Sequence, residues 1–312
     1  MRHSIIFTAL AATSVSGHGL IRSVEGANGV SMPGLTVADG TPRNCVVNAC
    51  GAQADTGIIR DAEINSGKVG PLGSTQGHGR VDPALVVANF MGTGGPPPTN
   101  KGASGSTGIE DKLESLFMMS KRRRQEHRRS FGKLLSGLEG TPLSRVYGLG
   151  GKPKTYPVET INADLRGRGA EKGLPTADDN GVITLIYRLI NEDGGGSMTA
   201  AIDATSGGTD AKAFLPAKVV RDVPGSSVSG LTPVTNTDYT MKVQMPKGVT
   251  CDGEIAGVKR VCIVRVRNQA LAGPFGGGAA FTQSAENRKR AIAYRLRKRV
   301  AIGSRAEGAS DE

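Results

Sequence analysis

The sequence predicts a mainly β fold, an antiparallel β-sandwich with long loops. Glycine is abundant, with 45 residues in 312, whereas aromatic residues make up 4% and tryptophan is absent, a composition typical of many turns between short strands. Valines 264 and 266 alternate with Arg265 and Arg267, as expected for a sheet with one solvated face. The spacing of such segments favours an antiparallel sandwich over a parallel α/β sheet.

The individual strands are predicted from short apolar or alternating runs bounded by turn residues. They are 18–25, 182–190, 197–203, 217–223, 238–245, 261–268 and 279–283. Asp178 and Asp179 precede the second run and indicate a turn. If the first strand pairs with later ones, the chain forms a single discontinuous domain.

Two helices are predicted. Asp82 is a suitable N-cap, Pro83 suits the first helical position, and the apolar run ALVVANFM follows. From Ser284 onward a basic C-terminal helix is expected, with Ile292, Leu296 and Val300 on one face. That face is expected to dock either on the domain or on an acidic wall or membrane surface.

The N-terminus resembles a signal peptide. A short basic start precedes an apolar run from Ile5 to Ala12, and Val15 and Gly17 occupy the −3 and −1 positions of a cut before His18. The run is too short to span a bilayer, and later segments offer no transmembrane stretch. We therefore expect a secreted, extracellular or cell-surface protein.

The predicted organisation has five parts, which follow from these signals and from linker composition after the first helix. They are a signal peptide (1–17), an N-terminal part of the sandwich (18–91), a flexible Gly/Pro-rich and basic loop (92–170), a C-terminal part of the sandwich (171–283) and a basic tail (284–312).

The formal charge of +11 resides in two segments, 121–129 and 286–299, and the remainder is near neutral. The dibasic pairs that begin at Lys121, Lys289 and Lys298 favour processing by a kexin-type protease. A docked helix is the second interpretation. Nucleic-acid binding ranks last and is not expected, because no aromatic residues are interleaved with the basic run in an exported chain.

The four cysteines suggest two disulfides in an exported chain. Local pairing, Cys45 with Cys50 and Cys251 with Cys262, is the simplest of the three connectivities. Neither spacing is typical of a zinc site, and no GxSxG motif indicates a serine nucleophile.

His18 is the leading candidate for chemistry. At the N-terminus of the mature chain it offers its α-amine and a ring nitrogen, and one further imidazole completes a planar three-nitrogen set that suits Cu(II). The mature chain contains two other histidines. His127 lies in the basic run and is expected to be solvated, so His78, in a Gly-flanked loop before the capped helix, is the expected partner.

Long stretches of the chain resemble a known family. They are HGLIRSVEGANGVSMPGLTVADGTPRNC from His18, then LGSTQGHGRVDPA, LPTADDNGVITL, INEDGGG and CDGEIAGVKRVCIVRVRNQALAGPFGGGAAFTQ. They are similar to the fungal Egh-like virulence factors, the family of Gas- and Mas-type appressorial cell-surface proteins. The similarity covers most of the chain and is weakest around 92–170. It implies a secreted fungal protein of the infection structure, the appressorium.

This family in turn resembles, remotely, the histidine-brace lytic polysaccharide monooxygenases, copper enzymes with an immunoglobulin-like sandwich. The resemblance implies that Phe275, in AGPFGGG, lies on the axial side of a copper ion held by His18 and His78. The implied reaction is oxidative cleavage of chitin or a wall glucan of the fungal or host cell wall. The alternative is a non-catalytic effector or adhesion protein that binds the cell surface or wall.

Overall fold

A computed structural model describes residues 18–43, 51–100, 157–190, 194–225, 236–270 and 273–308, with side chains up to Ala301. Its strands are β1 (Gly19–Glu25), β2 (Ser31–Pro33), β3 (Gly57–Ile58), β4 (Ser74–Thr75), β5 (Gly79–Arg80), β6 (Thr176–Ala177), β7 (Val182–Leu189), β8 (Thr199–Asp203), β9 (Phe214–Arg221), β10 (Thr237–Gln244), β11 (Gly253–Ile255), β12 (Val258–Arg267) and β13 (Phe275–Gln283). The helices are α1 (Asp61–Asn65), α2 (Pro83–Met91), α3 (Ile161–Asp164), α4 (Arg168–Lys172) and α5 (Ala285–Gly308), with short 3-10 turns at Ala52–Asp55 and Ala211–Ala213.

The described strands form one curled sheet in the order β2-β1-β7-β10-β9-β8-β12-β13-β3-β4-β5, with β11 paired to β12 and β6 to β13. Every pairing is antiparallel except that of β6 with β13. The prediction of a mainly β, antiparallel fold is confirmed. The layered packing arises because the sheet curls until β1 lies against β13, rather than from two separately hydrogen-bonded sheets.

Residues far apart in the chain share this sheet. Strand β1 pairs with β7, with Ile21 opposite Tyr187. The first strand therefore pairs with a later one, the condition on which the single discontinuous domain was predicted. Successive side chains of a strand point to opposite faces of the sheet, so every second residue of the long strands faces the core. In β7 these residues are Ile183, Leu185 and Tyr187, which are fully buried. Each such side chain contributes about 1.5–3 kcal/mol when it is removed from water.

Helix α2 begins and ends where its sequence predicts. The Asp82 carboxylate accepts the Ala84 N–H at 2.9 Å, and Pro83 occupies the first turn. Gly92 ends the helix in the left-handed conformation, with φ of 75°, which glycine adopts without steric cost.

Residues 157–170, which fell within the predicted flexible loop, include α3 and the start of α4. The Asp39 carboxylate accepts the backbone N–H groups of Asn162 and Ala163, and Asn162 donates through Nδ2 to the Val37 carbonyl at 2.9 Å. Asn89 of α2 donates to the Asn162 carbonyl at 2.7 Å. These polar contacts join 157–170 to the N-terminal part of the fold, and composition alone does not reveal them.

One of the two expected disulfides lies within the described residues. Cys251 is bonded to Cys262, as the local pairing predicts. The Cys45–Cys50 pair and the basic run 121–129 lie outside the described residues.

The C-terminal helix is confirmed, but docking of its apolar face on the domain is wrong. Ile292, Leu296 and Val300 are 40%, 57% and 73% exposed. Polar residues of α5 make the contacts with the domain instead, among them Asn287 and Arg288. In the part of the chain that the structure describes, no helix is long and apolar enough to cross a membrane.

Candidate functional site

His18 lies directly before β1 and is fully buried. Its carbonyl accepts the Ile190 N–H at 2.8 Å, which extends the β1–β7 pairing by one residue. Its imidazole packs against the ring of Phe275, with ring centroids 4.8 Å apart and planes tilted by 32°. Two of the three predicted site residues are therefore in direct contact.

Phe275 is the first residue of β13 and is fully buried. Asn268 fixes its backbone, because the Asn268 Oδ1 accepts the Phe275 N–H at 2.9 Å. The same amide donates through Nδ2 to the Gly195 carbonyl at 3.3 Å. One buried side chain thus links the start of β13 to the glycine loop that follows β7.

His78 lies in the turn between β4 and β5. Its backbone N–H donates to Thr75 Oγ1 at 3.2 Å, and its ring Nε2 lies 3.1 Å from the Thr36 carbonyl oxygen. Because a carbonyl oxygen only accepts, Nε2 carries a hydrogen, and the neutral ring is then the tautomer whose Nδ1 has the lone pair. A backbone carbonyl that orients an imidazole in this way is the usual second partner of a metal-binding histidine.

Thr36 lies beside β13, and its carbonyl oxygen contacts the ring of His78. Phe275 and Gly277 face the same side of that strand, because side chains alternate. A Cβ on Gly277 would lie 3.3 Å from the Ile21 nitrogen and 3.4 Å from Thr36 Oγ1. His18, Phe275, Thr36 and His78 therefore lie at one end of the sheet. The buried Thr36 hydroxyl has no hydrogen-bond partner among the described residues.

The glycine loop beside His18 is a part of the site that the sequence reasoning missed. A Cβ on Gly194 would lie 2.2 Å from the His18 carbonyl oxygen, and the Tyr187 hydroxyl donates to the Gly194 carbonyl at 3.2 Å. A Cβ on Gly19 would lie 2.4 Å from the same hydroxyl. The run of three glycines in INEDGGG was the available signal, since glycine runs allow close backbone approach.

We expect Gly194→Ala to displace the His18 backbone and to lower the free energy of unfolding by about 1–3 kcal/mol, because the added methyl group overlaps a carbonyl that is fixed by Ile190. Urea unfolding followed by circular dichroism measures the change. Gly95→Ala is the matched control, since a Cβ on Gly95 meets no atom within 4 Å. Equal midpoints for the two variants would contradict this packing.

A buried ionic cluster lies close to the start of β1. Arg43 pairs with Asp55 and, through Nε, with Glu159 at 2.5 Å. Burial lowers the pKa of Arg43, but the two carboxylates outweigh that effect and the pKa lies above its ordinary value. Arg188, opposite Leu20 in the β1–β7 pairing, donates to the Arg43 carbonyl at 2.6 Å. The cluster stabilises the region that carries His18.

Side-chain ligands alone do not form a metal site in the described ranges, where no group of three or more His, Cys, Asp or Glu residues could hold a metal ion. Of the two predicted ligands, the His18 imidazole contacts Phe275, and the further nitrogen expected as a donor is the His18 backbone nitrogen. That nitrogen is part of a peptide bond while residues 1–17 remain attached.

Comparison with known proteins identifies the family. A family model described as Egh16-like virulence factor matches residues 16–276, which include His18, His78 and Phe275. The chain belongs to the Egh16-like virulence factor family. The family relationship that the sequence motifs indicated is thus confirmed.

Two relatives of this Egh16-like chain come from Pyricularia oryzae. It is 42% identical over 309 residues to the appressoria-specific virulence factor GAS2, which covers 99% of this chain and 98% of that protein. It is 30% identical over 141 residues to the appressoria-specific virulence factor GAS1, which covers 43% of this chain and 55% of that protein. No solved structure matches the chain.

Proposed function

We propose that this chain is a secreted virulence-associated protein that acts at the appressorium or its surface. The support is its similarity, over nearly its full length, to a protein named for appressorium-specific virulence. The signal-peptide pattern before His18 supports export.

We further propose that cleavage after Gly17 creates a copper site. The α-amine and a ring nitrogen of His18, with Nδ1 of His78, would hold the metal. This proposal is supported by two contacts. The His18 ring packs against the Phe275 ring, and a backbone carbonyl orients the His78 ring. Amine and imidazole nitrogens are the donors that Cu(II) prefers, and the amine loses its proton near neutral pH.

A bound copper ion would supply one-electron and oxygen chemistry for the oxidative cleavage of a polysaccharide such as chitin or a wall glucan, with an external reductant and oxygen or peroxide as co-reactants. Phe275 presents an apolar ring beside His18 and excludes water from that side. Thr36 holds the tautomer of His78 that leaves Nδ1 available for binding. Asn268 holds Phe275 in position.

The test begins with the chain secreted from a fungal host. N-terminal sequencing and intact mass report the cut after Gly17 and any kexin-type cut at the dibasic pairs. Cu(II) titration is then followed by calorimetry and electron paramagnetic resonance. We expect one equivalent with an axial signal, and His18→Ala is expected to weaken binding by more than about 100-fold. His127→Ala is the matched control, since it removes a histidine outside the proposed site.

Oxidised oligosaccharides released from chitin or glucan by the copper-loaded protein and a reductant would support the enzymatic role. Stoichiometric copper binding without product, together with binding to insoluble wall polysaccharide, would favour the non-catalytic wall-binding alternative. A correctly cut chain that binds no copper, or in which His18→Ala and His127→Ala bind equally, would contradict the copper site.

A further inference from the structure

Helix α5 contacts the domain through one side. Arg288 donates through Nη1 to the Cys251 carbonyl at 3.0 Å, and Arg295 donates through Nη2 to Thr250 Oγ1 at 2.9 Å. Between them, Ala291 is buried, and Asn287 accepts from Gln283 at 2.5 Å. These residues mark the inner side of the helix and fix its rotation about its own axis.

Next to this inner side, α5 carries an aliphatic stripe. Ile292, Leu296 and Val300 follow one another at intervals of four residues, so they lie within about 80° of each other on the helix surface. Their exposure increases along the helix, from 40% to 57% and then 73%. Ile292 follows Arg288 by one turn and borders the inner side, whereas Leu296 and Val300 turn progressively away from the domain.

Positive charge surrounds the stripe. Between residues 285 and 301 the helix carries seven Lys or Arg residues and one Glu. Lys289 lies along the stripe, and Arg297 and Arg299 lie on its two sides; all three are exposed. An aliphatic stripe bordered by cations on a helix fixed to a folded domain is the arrangement of an interfacial, membrane-surface helix.

We propose that this face of α5 docks on an anionic lipid surface, with Ile292, Leu296 and Val300 inserted among the acyl chains and the flanking cations paired with acidic headgroups. A second copy of the chain is a poorer partner, because its cations would meet like charges at the edges of the same stripe. An acidic polysaccharide would pair with the cations but would leave the aliphatic stripe in water. Only a lipid interface would accommodate both the aliphatic stripe and the flanking cations.

The docking would orient the molecule. Strand β13 begins at Phe275, beside His18, and ends at Gln283, just before α5. At about 3.3 Å per residue the strand separates these two ends by about 26 Å. The lipid-facing helix and the candidate copper site therefore lie at opposite ends of β13, and the inference does not depend on copper binding.

The experiment measures co-sedimentation of the purified full chain, with its C-terminus verified by intact mass, with vesicles of phosphatidylcholine alone or with 30% phosphatidylserine. We expect binding to the anionic vesicles only, weakened by added salt. Replacing the stripe residues together (Ile292→Ser, Leu296→Ser, Val300→Ser) is expected to lower the partition coefficient at least about tenfold. Neutralising Lys289, Arg297 and Arg299 to Gln is expected to lower it about tenfold or more.

The matched control replaces three aliphatic residues of similar exposure elsewhere, Leu85, Leu215 and Val220, which are 47%, 45% and 46% exposed, by Ser. This control is expected to bind like the unaltered chain. The proposal is overturned if the chain ignores anionic vesicles, or if the stripe variant binds like the control. Binding of the chain to polygalacturonate that depends on the three cations as strongly as vesicle binding does, and not on the stripe, would also overturn it. The same holds if the stripe variant changes the oligomeric state of the chain and leaves vesicle binding unaltered.

Discussion

Replacing Arg43 by methionine is expected to lower the free energy of unfolding by about 3–5 kcal/mol. Arg43 and Asp55 are both buried, and Glu159 is the second carboxylate on the guanidinium. Methionine fills much of the volume but leaves the Asp55 carboxylate in the interior without a counter-charge. Urea unfolding at neutral pH and low salt measures the loss.

A double-mutant cycle separates the charge effect from the packing effect. Asp55→Asn keeps one oxygen that can accept the Ala38 N–H, and its NH2 group can donate to the Thr41 hydroxyl, so Arg43→Met combined with Asp55→Asn is expected to recover at least about 1 kcal/mol. Lys68→Met is the surface control, because Lys68 is 69% exposed in its pair with Glu63 and should contribute less than about 1 kcal/mol. Equal losses for Arg43→Met and Lys68→Met would mean that burial does not strengthen the Arg43 cluster.

The long strands could be predicted from the sequence because their periodicity is local. The run at 182–190 corresponds to β7 (Val182–Leu189), and the run at 261–268 overlaps β12 (Val258–Arg267) except for its last residue. Strand β13 begins four residues earlier than expected, at Phe275, because glycines 276 to 278 carry no strand signal. Those glycines are needed there: a Cβ on Gly276 would lie 2.0 Å from the Val266 carbonyl oxygen.

The site could be predicted only in part. His18 and Phe275 were named from processing logic and family resemblance, and their ring contact agrees with that choice. The Arg43 cluster was missed, since Arg43 and Glu159 are 116 positions apart and no local pattern joins them. The sequence left the docking of the apolar face of α5 open for a related reason. Apolar periodicity predicts which residues share a face, whereas the polar contacts of Arg288 and Arg295 decide which side of the helix lies against the domain.

Removing the Cys251–Cys262 disulfide by Cys251→Ala with Cys262→Ala is expected to lower the free energy of unfolding by about 3 kcal/mol. The bond closes a loop of 11 residues, and the entropy that such a loop withdraws from the unfolded chain amounts to about 3 kcal/mol at 25 °C. Both cysteines are buried, so truncation also leaves a small void. Urea unfolding of the variant and the unaltered chain measures the difference.

The loss of stability should extend to α5, because the backbone at Cys251 is hydrogen-bonded to that helix and to the end of β13. Cys251 receives a hydrogen bond from Arg288 at its carbonyl and donates its N–H to Gln283, the residue that ends β13. Amide hydrogen exchange in α5 is therefore expected to accelerate in the variant more than exchange in β7, which pairs with β1 and β10 and not with the strand that carries Cys262. Adding a reductant to the variant controls for the other two cysteines, since any further destabilisation must come from them. An unchanged urea midpoint, or exchange that accelerates equally in β7 and α5, would show that the disulfide does not anchor the helix.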